Sequence, residues 1–535
     1  MQFICLDNDY FPTLRAKGGV YVDKTKQIYD LFSEHTYYFL SRPRRFGKSL
    51  LCSTLAELFK GNRALFKNTW IDSSDWNWEK THPVLHFNMT NAVSMSGNAS
   101  EVRQGMIQML RGYAETFGLT DINEDHPRLM LTQLIEKIHA KMGKQVVVII
   151  DEYDKPLLDV IDKHDKYPAI HDELRSFYTP LKTLSEHLRL VFLTGVFKFA
   201  KTSIFSGLNN LADLTFDPKA ADVVGYTEAE MRLYFAEHLA ALAGVYKTSV
   251  DEMMLILQKK YNGYKFGLNV ATEEIFGGVY NSFAMNYVFA KQQLLDKWFA
   301  SGSPTALLKQ LADEQFTDLT PENLTLKFTA LDNSCGVEEM GCLFMLYYAG
   351  YLSIQSFSKG KVSLGFPNLE VSQAFSSMLL PLLLEKTMST TDRISDKLHD
   401  VFVEERLADL QELLNDALAP VSYHVLKNPN KKTYAPVPQE NLYQIAFFYL
   451  FIGSNLKAVM EDATIRGRID ISIELPTIVY LLEFKVGDTA AVAIQQIKDK
   501  DYARKFKQQN RKIYAVGVSL HAKDRVVQEV AWELL

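Results

Sequence analysis

The sequence predicts an α/β chain built around two separate sheets, one towards each end, and three stretches carry that expectation. The first is YYFLSRPRRFGKS, Tyr37 to Ser49, where an apolar run passes through a basic turn into the helical repeat of Leu50, Leu51, Thr54, Leu55, Leu58 and Phe59, closed by Lys60 and Gly61. The second is QVVVIIDEYD, in which five consecutive apolar residues, Val146 to Ile150, end in two acids. An unbroken apolar run of that length marks a strand buried on both faces, as at the centre of a parallel sheet. The third is the segment from Gln439 onward, which reads as helix, three strands, helix, strand.

The 535 residues suggest roughly three or four domains, each able to bury its own core. With 47% hydrophobic and 23% charged residues the chain is an ordinary folded protein. A net charge of −6 and a pI near 6.1 give no global field that would attract nucleic acid, so any such contact has to come from local patches. Cys5, Cys52, Cys335 and Cys342 lie far apart with no CxxC pair, which argues against a disulfide framework or a zinc motif and for a reducing cytoplasm. No basic region followed by an apolar core opens the chain, and the apolar run from Leu442 to Phe451 falls short of the ~20 residues of a membrane helix. A cytoplasmic protein with no membrane partner is expected; the oligomeric state is not legible.

Strand, tight turn and helix form the frame of a P-loop. Gly47 lets the backbone approach a phosphate, the helix N-terminus offers unpaired N–H groups, Lys48 reaches the terminal phosphates and the Ser49 hydroxyl coordinates Mg²⁺. The general motif wants glycine where Arg42 stands, and Arg42, Arg44 and Arg45 supply three guanidinium groups as candidate phosphate ligands. The plainer alternative is a basic turn before a core helix. Asp151 and Glu152 end the buried strand at the sheet edge where open α/β folds place their ligands, a Walker B arrangement. Asp151 would hold the Mg²⁺ through water, and Glu152 would orient or deprotonate the attacking water. LRLVFLTGV, Leu188 to Val196, supplies another buried strand ending in Thr194, either a sensor of the γ-phosphate or a simple strand-end threonine. Residues 1–224 are therefore assigned to a P-loop NTPase core.

From Gly225 the character changes. Thr227 and Glu230 form a capping box, and helical patterns dominate to about Leu308, giving a helical lid. GCLFMLYYAGYL followed by two short strands around a Lys-Gly turn reads as a helix and hairpin, winged-helix-like, which either packs or binds DNA. Residues 225–389 form this lid and winged-helix-like region, 390–425 a helical linker, and 426–535 a C-terminal α/β domain.

In that last domain, IDISIEL and IVYLLEFKV flank Pro476-Thr477. A two-residue turn there puts Asp470 directly across from Glu483; opposed residues share a face, and Lys485 shares it with Glu483. Opposed acids on a sheet repel unless a cation lies between them, and hard oxygen ligands favour Mg²⁺ or Mn²⁺. Such a metal would polarise a phosphate and acidify a water, with Lys485 positioning that water. Asp470, Glu483 and Lys485 are the candidate catalytic set, with Asp470 and Glu483 as metal ligands. Arg466, Arg468, Lys498, Lys500, Arg504, Lys505 and Lys507 either track a phosphate backbone or form a solvated face.

RPRRFGKS, IIDEYDKP, LTGVFKFAKTSIFSGLNNL and YNGYKFG resemble the bacterial AAA-ATPase-like family, and the C-terminal order of elements resembles its PD-(D/E)XK nuclease domain. In that family the arginine-rich loop lacking its first glycine is usual. The resemblance spans most of the chain. It implies ATP as the ligand of Lys48 and Ser49, a metal role for Asp151, and a nuclease acting on nucleic acid, DNA favoured over RNA. It further implies that Glu440 completes the acidic site, that Gln496 is a recurrent helical glutamine, and that GRID, Gly467 to Asp470, is the family's GR-x-D turn. A nucleotide-switched scaffold that binds nucleic acid without cutting is the alternative. An unregulated nuclease endangers its cell, so ATP state is expected to gate cleavage.

Overall fold

A computed structural model describes residues 1–6, 10–93, 97–123, 126–161, 163, 165–198, 211–297, 324–332, 341–384, 386–419, 439–464, 467–507, 511–521 and 526–535. The chain divides into two compact units, one N-terminal and extending through Asn368, the other carrying Leu369–Leu535.

In the N-terminal unit, β1 (Tyr37–Ser41), β2 (Val84–Asn88), β3 (Val146–Asp151), β4 (Leu188–Gly195) and β5 (Ala212–Asp213) form one sheet in the order β2-β3-β4-β1-β5. Every pairing is parallel. All residues of β1 and β3 are buried, which is why both read as unbroken apolar runs. Because the strands are parallel, the ends at Ser41, Asn88 and Asp151 lie at one edge, with β4 separating the P-loop strand from the acid-tipped one. The Lys48–Lys60 helix starts after Gly47 and stops at Gly61, whose φ of 77° lets its N–H close on the Glu57 and Leu58 carbonyls. The helices Ala99–Thr116 and Pro127–Met142 bury Val102, Met106, Ile107 and Leu110, and Leu131, Leu134, Ile135 and Ile138, the stripes their spacing predicts.

The next region is less purely helical than its sequence suggests. Thr227 and Glu230 do make the reciprocal capping box that opens Glu228–Tyr234, and helices Ala236–Val245, Val250–Tyr261 and Ser282–Lys291 follow. Between the last two, however, lies an antiparallel hairpin, β6 (Tyr264–Asn269) and β7 (Glu274–Val279). Tyr264, Phe266 and Leu268 alternate into the core there, a period of two that the surrounding helical repeats obscure. The helix Cys342–Ala349 leads into β9 (Ser353–Ser358) and β10 (Lys361–Gly365), which join β8 (Thr325–Lys327) in a sheet ordered β8-β10-β9. Tyr347 stacks on Phe216 at 5.8 Å and Tyr348 lies 6.4 Å from Phe197, so this helix and hairpin are anchored on the N-terminal core.

In the second unit, β11 (Lys457–Thr464), β12 (Gly467–Glu474), β13 (Ile478–Val486), β14 (Lys512–Leu520) and β15 (Val527–Leu534) stand in sequence order. Only β13 and β14 pair in parallel, and the helix Ala490–Asp499 makes the crossover between them. Its Ile494 and Ile497 pack with Ile469, Val479 and Leu481 on one face. The opposite face receives the helix Gln439–Gly453, where Phe447 stacks on Phe484 at 5.6 Å. The final strand β15 is an addition to the expected order. The helices Leu369–Leu383, Met388–Val403 and Leu410–Leu418, divided in the sequence reading between lid region and linker, also fold here. Phe402 meets Tyr480 at 5.0 Å, and Asn415 exchanges hydrogen bonds of 2.8 and 3.0 Å with the Val527 backbone.

Candidate nucleotide site and candidate nuclease site

The turn after β1 holds Arg45 at φ 69° and Gly47 at φ 96°, and this left-handed backbone bends the chain back into the helix beginning at Lys48. At Gly47 it is the dihedral and not crowding that demands glycine, since an added Cβ would approach nothing closer than the Ser282 hydroxyl at 3.6 Å. The Lys48 ammonium is buried and donates to the carbonyls of Arg42 and Pro43, both at 3.1 Å, with Glu152 Oε1 at 3.8 Å. Above it opens a cavity of about 340 Å³, lined among others by Arg44, Arg45, Lys48, Ser49, Glu152 and Lys155. That volume suits a small-molecule ligand.

Asp151 is 1% exposed, and neither carboxylate oxygen has a hydrogen-bond partner of good geometry. Burial, then the charge of Glu152, pushes it up to about 6; the nearby Ser49 hydroxyl and Lys48 ammonium offset part of that rise. A buried acid with unsatisfied oxygens beside a serine hydroxyl fits a hard divalent cation with its water. Glu152 sits at φ 53°, a conformation costly for a residue with a side chain, which sends its backbone out of line as the strand ends.

Two of the proposed phosphate contacts are corrected. Arg42 is 1% exposed, donates to the carbonyls of Ser41, Thr215 and Ala220 at 2.8 Å each, and lies 4.5 Å over the Phe266 ring. Its guanidinium pins the strand edge to the residues after β5 and is not available to a phosphate. The Thr194 hydroxyl is likewise spent, donating to the Leu40 carbonyl at 2.8 Å across the β1–β4 pairing. Of its two readings, the strand-end threonine is the one that fits.

The second site lies at one end of β12 and β13. Four pairs from Ile471↔Leu482 to Glu474↔Val479 keep the register expected from a Pro476-Thr477 turn. One step further, Asp470 Oδ2 accepts from the Phe484 N–H at 2.8 Å. Glu483 is 1% exposed; Lys485 stands 3.2 Å from its Oε1, and the Gln496 amide donates to the same oxygen. Glu483 extends the row of Val479 and Leu481, on which the Ala490–Asp499 helix packs, so the helix that covers the core also delivers Gln496. Two carboxylates with a lysine and an amide beside them fit a hard divalent cation as well as an ion pair.

Residues 7–205 match the family described as Predicted AAA-ATPase, and residues 438–530 match the PD-(D/E)XK nuclease superfamily. A protein described as "Uncharacterized protein in vnfD 5'region", from Azotobacter chroococcum mcd 1, is 34% identical over 514 residues, 95% of this chain and 94% of the relative. The chain belongs to the AAA-ATPase-like family, with a C-terminal PD-(D/E)XK nuclease superfamily domain. No solved structure matches.

In this AAA-ATPase-like protein several residues at the two sites escaped the sequence reading. Asn88 ends β2, pairs with Asp151 in register and lines the cavity; its signal was a polar residue closing VLHFN at the ligand edge. Asp154 is wholly buried and accepts from the Val196 and Phe197 N–H groups at 2.9 and 2.7 Å, tying the end of β4 to the turn after β3. Burial and the charge of Glu152 push it up to about 7. Lys24 is ion-paired with Glu230 at 2.6 Å and also lines the cavity. At the nuclease site Tyr502 is missed: burial raises its phenol, Gln496 hydrogen-bonds it, and Glu483 and Asp470 raise it further. Of the basic residues, Lys498 and Lys507 pair with Glu533 and Asp501 at the surface, Lys505 pairs with the buried Asp462, and Lys500 and Arg504 are exposed. Arg468 is exposed, Arg466 lies outside the described residues, and so does the side chain of Glu440.

Proposed function

We propose that the N-terminal unit hydrolyses ATP and that the C-terminal domain cuts nucleic acid phosphodiesters, DNA in preference to RNA, in the cytoplasm. The observation that carries the reading is the convergence of Asp470, Glu483, Lys485 and Gln496 at one sheet end, in a chain whose P-loop lysine lies beside Glu152 under an open cavity. Lys48 exchanges its two loop carbonyls for phosphate oxygens when nucleotide enters. Arg44 and Arg45 flank the same cavity, and Glu152 accepts a proton from the attacking water. Ser49 and Asp151 would hold Mg²⁺, which supplies neutralising charge at the phosphates. In the nuclease domain Asp470 and Glu483 would hold Mg²⁺ or Mn²⁺, which supplies Lewis acidity. Lys485 would orient the water and stabilise the negative charge developing on the non-bridging phosphoryl oxygens. The test is to incubate the full-length protein with DNA and with RNA in Mg²⁺ or Mn²⁺, with and without ATP, following both cleavage and phosphate release. Binding without cleavage under every condition favours the scaffold alternative; neither binding nor cleavage removes the nucleic-acid reading.

A further inference from the structure

β2 and β3 pair in parallel with His86 opposite Ile149. Opposed residues share a face and residues two apart on a strand share it too, so His86 and Asp151 point to the same side of the sheet. Cys52, one turn beyond Lys48 on the P-loop helix, meets them there. The Cys52 sulfur, a His86 ring nitrogen and an Asp151 carboxylate oxygen all lie within 4.8 Å of one another.

Cys52 is wholly buried and Asp151 is 1% exposed. His86 Nε2 and both Asp151 oxygens are buried without a hydrogen-bond partner of good geometry, although the Ser49 hydroxyl and Glu152 backbone lie near Asp151. Buried polar atoms are almost always satisfied, and leaving one unmade costs about 1–3 kcal/mol. An imidazole and a carboxylate left in this state around a buried thiol call for a common partner. A thiol and an imidazole in the set select against Mg²⁺ and Ca²⁺ and for a borderline cation. Metal–ligand bonds of about 2.0–2.3 Å put tetrahedral donors roughly 3.3–3.8 Å apart, so the side chains need close by only about an ångström.

We propose that Cys52, His86 and Asp151 bind a divalent transition metal, Zn²⁺ by the chemistry of its donors, beneath the P-loop helix. The thiol proton leaves to solvent as the sulfur–metal bond forms. Three protein ligands leave a fourth position for water. Resting on the ATPase reading, a consequence follows: the metal engages the carboxylate that nucleotide-bound Mg²⁺ needs, so Zn²⁺ holds ATP turnover down and a chelator releases it.

The experiment uses the chelator-stripped full-length protein titrated with Co²⁺, whose thiolate complexes absorb by sulfur-to-metal charge transfer. One equivalent is expected to develop that absorption. Cys52→Ser abolishes it, His86→Gln weakens Co²⁺ binding at least tenfold, and Cys5→Ser leaves it unchanged. Zn²⁺ displaces the cobalt, and excess Mg²⁺ does not. No charge-transfer absorption in the wild type, or its persistence in Cys52→Ser, overturns the proposal, and neither outcome depends on turnover. A chain that binds Co²⁺ through Cys52 yet hydrolyses no ATP under any metal condition keeps the site and fails the ATPase reading.

Discussion

Arg42 and Lys48 belong to one basic loop and differ in what their charge is for. Arg42 donates to three backbone carbonyls from a fully buried position, so Arg42→Ala removes a donor from each of them. We expect a loss of about 3 kcal/mol or more in urea-induced unfolding. Lys48→Ala should cost far less in stability and abolish ATP turnover, while Glu152→Gln keeps ATP binding and loses turnover. An Arg42→Ala protein of wild-type stability with weakened ATP binding would return Arg42 to the phosphate site. Asp154 offers a pH test. Its folded-state value is pushed up to about 7 from the usual 3.8, so between those values the folded chain holds the extra proton and stability falls as pH rises. Asp154→Asn has no such group to ionise. Its stability relative to wild type should therefore climb from pH 4 to above pH 7, and a pH-independent difference would contradict the assignment.

At the scale of elements, what was legible followed from strong periodicity. β1, β3 and β4 were readable because burial on both faces leaves unbroken apolar runs, and the β12–β13 register because Pro476-Thr477 fixes it. The observed pairing runs from Ile471↔Leu482 to Glu474↔Val479, and beyond it Asp470 accepts from the Phe484 N–H while Lys485 and Gln496 meet Glu483. The β6–β7 hairpin was missed because its alternation is short and flanked by helices. The sequence assigns the helices from Leu369 to Leu418 to lid and linker on their polar residues, although Leu398, Val401 and Phe402 form a buried stripe. The roles of Arg42 and Thr194 were not legible, since a motif gives residue types and not the direction a side chain takes.

Gly517 on β14 lies under the start of the Ala490–Asp499 helix, where an added Cβ would fall 2.1 Å from the Ala490 carbonyl oxygen. Gly517→Ala should destabilise the C-terminal domain by about 1–3 kcal/mol and withdraw Gln496 from Glu483. Urea unfolding measures the first, and raised Mn²⁺ requirement for cleavage the second. For the acids themselves, calorimetric titration of Mn²⁺ separates ligand from donor: Asp470→Ala and Glu483→Ala lose metal affinity, whereas Lys485→Ala keeps it and loses cleavage, since an ammonium donates and does not ligate. Equal Mn²⁺ affinity in wild type and Asp470→Ala would remove the shared metal site.

On the scale of the whole molecule the AAA-ATPase-like match and the PD-(D/E)XK match fall one in each compact unit. No helix among the described residues is long and apolar enough to cross a membrane. ATP can change cleavage only by binding two states of the chain unequally, by about 1.4 kcal/mol for a tenfold shift in population. The measurement that bears most directly on a coupled ATPase and nuclease is cleavage of DNA in Mn²⁺ by wild type, Glu483→Ala and Lys48→Ala, each with and without ATP. We predict that Glu483→Ala loses roughly 10²-fold or more of the rate. Wild-type cleavage should change when ATP is added, and Lys48→Ala cleavage should not. Cleavage by Glu483→Ala at the wild-type rate would contradict the nuclease site, and an identical response to ATP in wild type and Lys48→Ala would contradict the coupling.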